Sequence, residues 1–201
     1  MTKKVFFWIL VFSLVVFGLI AYVFAEDKFL TGNLLPELIG VSVELLLIIV
    51  VFDRWQKHEE KQRKIKIERR LREFLIFFLK DNFENFPSKC KPESFYGEEY
   101  EKNQAALDNL VNHIEANGLV EESVVEIQKY CESEKDIFSN LIPVVSELTN
   151  DHFKSWVRIA YYMNAIDSKK EKTSKAVVEI LKNVKRYDSE SFKNGLYVGS
   201  K

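Results

Sequence analysis

Hydrophobic positions follow two regimes along this chain. Up to Phe52 they are nearly continuous, and beyond it they are periodic. Residues 5–25 form an unbroken apolar run without charge, and a second run, dense in Leu, Ile, Val and Phe, occupies 34–52. About 20 apolar residues at ~1.5 Å each match the ~30 Å hydrocarbon layer of a bilayer. The first run ends at a passable signal-peptidase site, Val23 and Ala25 before Glu26. It is longer than the ~7–15 residues of a signal-peptide core, so it is expected to be retained as a span. Glu26-Asp27-Lys28 through Thr31-Gly32 then makes the turn of a helical hairpin.

Past the second run there is no Gly or Pro between Asp53 and Lys80. One continuous helix is therefore expected from about Leu34 to about Leu79. Residues 56–64 are polar on every face, the pattern of a solvated stalk. Ile67, Leu71, Phe74, Leu75 and Phe78 then restore an apolar stripe that should pack on a domain beyond. Residues 81–95, with Pro87 and Pro92, read as a helix break and a long loop. Helical spacing returns in Leu107, Leu110, Val111 and Ile114, stopped by Asn117-Gly118. It recurs in Val124, Ile127 and Cys131, and in Ile137, Leu141, Val145 and Leu148, where Pro143 kinks or restarts the helix. A fourth face is Phe153, Trp156, Val157, Ala160 and Met163, with Asn150 or Asp151 as cap. A fifth is Val177, Leu181 and Val184, capped by Ser174, with Lys182, Lys185 and Arg186 near its negative end.

The expected fold is all-α: a transmembrane hairpin in 1–55 (spans 5–25 and 34–54), a basic stalk in 56–80, a cytoplasmic helical bundle in 81–186 and a polar tail in 187–201. The scarcity of Gly and Pro, seven and four, fits long helices better than a turn-rich β fold. Cys90 and Cys131 are isolated and fit a reducing compartment.

Charge adds an orientation. The chain's net charge of −1 hides a collar in 54–72, where Arg54, Lys57, Lys61, Arg63, Lys64, Lys66, Arg69, Arg70 and Arg72 outnumber three Glu, for a net +6. Residues 81–201 carry −5, with 21 acids against 16 bases. Lys3, Lys4 and the collar lie on the same side of the hairpin, so the positive-inside rule places both termini in the cytoplasm of a bacterial inner membrane. The collar suits anionic lipid headgroups, at ~1 kcal/mol per cation near the surface, or it only sets topology. Nucleic acid is disfavoured, because no binding motif accompanies the charge.

The second run also carries polar residues. Asn33, Glu37, Gly40 and Glu44 recur at i, i+4, i+7 and i+11 and share one helical face. An acid near the bilayer centre costs ~2.5–3.5 kcal/mol, so this face should meet protein or water rather than lipid. The first run offers no Lys or Arg to neutralise it, only Ser13 and Gly18. Protonation, hydration, or another copy of the chain remain. The face is either a packing seam, with Gly40 permitting close approach, or a seam that also lines an ion or water path.

The string Asn33-Leu34-Leu35-Pro36-Glu37-Leu38-Ile39-Gly40, followed by an apolar run and Asp53-Arg54, resembles the second span of small bacterial two-span membrane proteins with an Asn-Leu-x-x-Glu-Leu-x-Gly pattern. The chain departs from that pattern at Glu44, where a Thr or an apolar residue is expected. The resemblance covers about thirty residues and implies architecture more than activity. The wider layout is similar to two-span effectors of bacterial phage defence.

No catalytic constellation emerges. His58, His113 and His152 are scattered, and His58-Glu59-Glu60-Lys61 lacks the second His of a zinc-protease helix. There is no phosphate-binding glycine loop or nucleophile elbow. No enzyme, cofactor or metal is expected. Two functions stay open. One is an oligomeric effector that alters membrane permeability under a cytoplasmic sensor domain, triggered by an unknown protein or ligand. The other is a passive anchor that presents a helical interaction module.

Overall fold

A computed structural model describes residues 3–23, 35–90 and 100–197. Every α-helix or strand position among them is helical: α1 (Lys3–Val23), α2 (Leu35–Phe83), α3 (Tyr100–Asn117), α4 (Glu121–Asn140), a single turn α5 (Ile142–Val145), α6 (Asn150–Asp167) and α7 (Thr173–Lys193), with a 3-10 turn at Ser88–Cys90. The all-α expectation holds. The hairpin turn, Asn33 and Pro92 lie outside the described residues.

The chain divides into two units, Met1–Glu60 and Lys61–Lys201. In the first, the covered positions of α2 are confined to one face, and those of α1 extend over more than half of its circumference. On α1 Leu10 is buried and Phe7, Val11, Leu14 and Phe17 are half-buried; on α2 Ser42 is buried and Ile39, Leu46 and Ile49 are half-buried. Among the described residues no helix is long and apolar enough to cross a membrane. Glu37, Glu44 and Asp53 divide the apolar stretch of α2.

The second unit is a helical bundle. Its most extensive helix pair is α6 with α7; α4 lies against α6, and α3 against α7. From Lys61 on, α2 belongs to this unit, and its stripe is core: Leu71, Leu75, Phe78, Leu79 and Phe83 are each at most 1% exposed. The helix break expected at Asp81 falls after Phe83 instead. No Gly or Pro stands at 81–83 to stop the helix, and the Asn82 amide donates back to the Phe78 carbonyl at 2.7 Å. Trp156, fully buried, stacks on Phe138 with centroids 5.1 Å apart and donates its indole N–H to the Phe138 carbonyl at 2.8 Å.

Three further boundaries differ from the sequence reading. Ile137 ends up in α4 rather than opening a helix of its own. Pro143 has no N–H for the Ser139 carbonyl and its ring collides with that turn, so α4 stops at Asn140 and restarts as α5. The cap of α6 is Thr149, whose hydroxyl accepts the His152 N–H, rather than Asn150 or Asp151. α7 follows Lys172 without a side-chain cap, so Ser174 does not serve.

The tail is the largest correction. α7 runs seven residues past Arg186, and Tyr187, Asp188 and Ser191 are fully buried. Asn194-Gly195 then closes it in a Schellman turn. Gly195 sits at φ +61, its N–H meets the Phe192 carbonyl at 3.1 Å, and the Leu196 N–H meets the Ser191 carbonyl at 2.8 Å. Gly118 ends α3 in the same left-handed conformation, at φ +72, as the sequence predicts.

Candidate functional site

The acidic face of the first unit is uncovered. Glu37, Gly40 and Glu44 are all exposed. At ~100° per residue, Ile39, Ser42, Leu46 and Ile49 lie about half a turn away from them. Their cover therefore serves the opposite side of α2. Among the described residues a Cβ added at Gly40 would meet nothing within 4 Å, so no packing among them requires a glycine there. Asn33, the fourth member of the set, lies outside the described residues.

The collar is split between the units. Arg54 and Lys57 belong to the first, with Lys57 paired to Asp53 at 2.7 Å. Lys61, Arg63, Lys66, Arg69 and Arg70 are exposed on the second unit and Lys64 is half-buried there. Arg63 is tied across to Glu147 at 3.3 Å. Arg72 is not a collar residue. It is 6% exposed, ion-paired to Glu68, and its guanidinium lies 3.8 Å over the centroid of the Tyr197 ring. It sits three positions after Arg69 but one helical turn on from Glu68, on the face that turns inward.

Arg72 instead anchors a buried polar centre. α2 supplies Glu68 and Arg72, α6 supplies His152, and α7 supplies Tyr187, Asp188 and Ser191. The Schellman turn delivers Tyr197, whose hydroxyl accepts from the Asn103 amide of α3. Glu68, Asn103, His152, Tyr187, Asp188 and Ser191 are each at most 2% exposed. Among the described residues neither Asp188 oxygen nor the Tyr187 hydroxyl has a hydrogen-bond partner. Burial raises the Asp188 carboxyl to about 7; Arg72 opposes that rise and Glu68 adds to it. Burial likewise lowers the His152 imidazole to about 4.

The tautomer of His152 follows from its neighbours. The Thr149 hydroxyl donates its one proton to Glu190 Oε1 at 3.1 Å, so His152 Nδ1 is the donor in the 2.8 Å contact to Thr149 Oγ1. His152 Nε2 then accepts from the Ser191 hydroxyl at 2.9 Å. The fold thus holds a neutral imidazole and places a proton on Asp188 near neutrality. The sequence reading missed this centre because its members are polar and interrupt the apolar period. The signals available were Asn194-Gly195, the same stop as Asn117-Gly118, and the spacing Val177, Leu181, Val184, Asp188, Ser191.

Cys131 is fully buried on α4, and burial pushes its thiol up to about 12, so it is not poised as a nucleophile. Among the described residues no three His, Cys, Asp or Glu side chains cluster as metal ligands. No family model matches the chain, and neither a curated protein nor a solved structure matches it.

Proposed function

We propose that this chain is an oligomeric inner-membrane effector: the first unit sits in the bilayer and alters its permeability, and the second is a cytoplasmic sensing bundle. The observation that carries the reading is the apolar surface of the first unit. Trp8, Phe12, Tyr22, Leu47, Val51 and Phe52 are all more than half exposed, on faces away from the covered seam. Apolar surface on this scale marks a membrane or protein contact. The backbone of α1 extends from Lys3 to Val23, ~31 Å at ~1.5 Å per residue. Lipid satisfies these side chains but not Glu37 and Glu44. A lone α2 therefore inserts marginally, and an assembly of copies with the acidic faces turned to a common axis removes the conflict. The positive-inside rule then sets both termini, with the exposed part of the collar, on the cytoplasmic side against anionic headgroups. The similarity in layout to two-span defence effectors supports a role of that kind.

A passive anchor has no need of the acidic face, which gives the test. On induced expression, a membrane-potential dye should report depolarisation for the wild-type chain and a weaker response for Glu44→Leu at equal protein level. Equal potentials for both proteins and an empty-vector control would leave only the anchor.

A further inference from the structure

The outer face of α7 borders a groove that the membrane reading does not use. It has a volume of about 770 Å³ and lies between α3, α6 and α7. Its walls carry Lys154 and Arg158, one turn apart on α6, and Lys182, Lys185, Arg186 and Lys193 on one face of α7. Three of these cations are already neutralised: Lys185 pairs with Asp108 at 2.5 Å, Lys182 with Glu115 at 3.0 Å, and Lys154 with Asp151 at 3.5 Å. Among the described residues Arg158, Arg186 and Lys193 pair with no acid. The acid left in the wall, Glu190, is held by Thr149 and by the Asn194 amide at 2.8 Å. Ser155, only 4% exposed, also lines the groove.

We propose that this groove binds a compact anion carrying several phosphate groups. Two guanidinium forks and an ammonium around one opening match phosphate oxygens, and the Ser155 hydroxyl offers a donor at the floor. The volume falls in the range of small-ligand sites. Among the described residues no aromatic side chain lines the groove, so a nucleobase has nothing there to stack on. Recognition then falls on the phosphates, which argues against a nucleic-acid strand. The inference stands on the groove alone and does not depend on the membrane reading.

The test uses the full chain in phosphatidylcholine nanodiscs, magnesium-free, titrated calorimetrically with tripolyphosphate, ATP, citrate and a single-stranded oligoribonucleotide. Tripolyphosphate and ATP should bind within about threefold of each other and ahead of citrate and the oligonucleotide. Arg158→Gln with Lys193→Gln should weaken tripolyphosphate about tenfold or more, since both charge-assisted contacts are lost. Both residues are exposed, so the fold should persist, as circular dichroism can verify. Lys57→Gln with Lys66→Gln, in the collar, should leave binding unchanged. No binding at millimolar tripolyphosphate, equal binding by the groove variant, an equal loss in the collar variant, or preference for citrate or the oligonucleotide would each overturn the assignment.

Discussion

Arg72→Met is expected to destabilise the second unit by ~3–5 kcal/mol, because it leaves Glu68 as a buried charge without its partner. Glu68 is 2% exposed and its ion pair with Arg72 spans one turn of α2. The substitution also removes the cation from the Tyr197 ring, loosening the segment that closes α7. For a unit of this size the loss corresponds to a fall in Tm of roughly 6–20 °C. Arg63→Met breaks an exposed pair with Glu147 and should cost under ~1 kcal/mol. Adding Glu68→Gln to Arg72→Met removes the orphaned charge and should recover more than half of the loss. Near-ultraviolet circular dichroism melts of the full chain in detergent check this. A change below ~1 kcal/mol, or no recovery in the double variant, would mean that the pair does not hold the centre together.

The second large effect is a pH dependence that is concealed in the native chain. Asp188 has its folded value raised to about 7 from 3.8, so the folded state holds a proton that the unfolded chain has released. That contribution makes stability fall as pH rises from about 4 to about 7. His152 is lowered to about 4 from 6.5, so here the unfolded chain holds the extra proton. That contribution makes stability rise with pH from about 4 to about 6.5. Over the shared window the two slopes oppose each other, and wild type should be nearly flat as far as this pair is concerned. Asp188→Asn should uncover the histidine slope, gaining on the order of 3 kcal/mol from pH 4 to 6.5. His152→Gln should uncover the opposite slope, losing on the order of 4 kcal/mol from pH 4 to 7. Thermal melts of the three proteins at half-unit intervals from pH 4 to 8 test the pair, and three parallel curves would refute it.

The sequence made the apolar skeleton readable and left the polar interior hidden. Leu107, Leu110 and Ile114, or Val177, Leu181 and Val184, repeat at helical spacing because burial alone selects them, and all are core. Arg72 is a different case. In sequence it is the last of nine cations, and only the packing of α2 against the bundle separates it from Arg69 and Arg70. Asp188, Tyr187 and Ser191 continue the buried face of α7 with polar atoms, so the apolar pattern stops at Val184. Pro143 was legible as a disturbance, but whether it kinks or restarts a helix depends on the Ser139 carbonyl. In the first unit, the shared face of Glu37, Gly40 and Glu44 follows from spacing alone. That this face lies opposite the covered side of α2 follows from the burial of Ser42 and the partial cover of Ile39, Leu46 and Ile49, which spacing does not reveal.

We propose that copies of the chain meet at this acidic face within the membrane. Single cysteines at positions 39, 40, 44 and 46, in a background with Cys90→Ser and Cys131→Ala, test it by oxidative crosslinking in native membranes. Positions 40 and 44 are on the uncovered face, and 39 and 46 are on the covered one. Covalent dimers are expected from Gly40→Cys and Glu44→Cys, and none from Ile39→Cys or Leu46→Cys. Crosslinks without this helical phase, or none at any of the four positions in membranes that contain the protein, would contradict it.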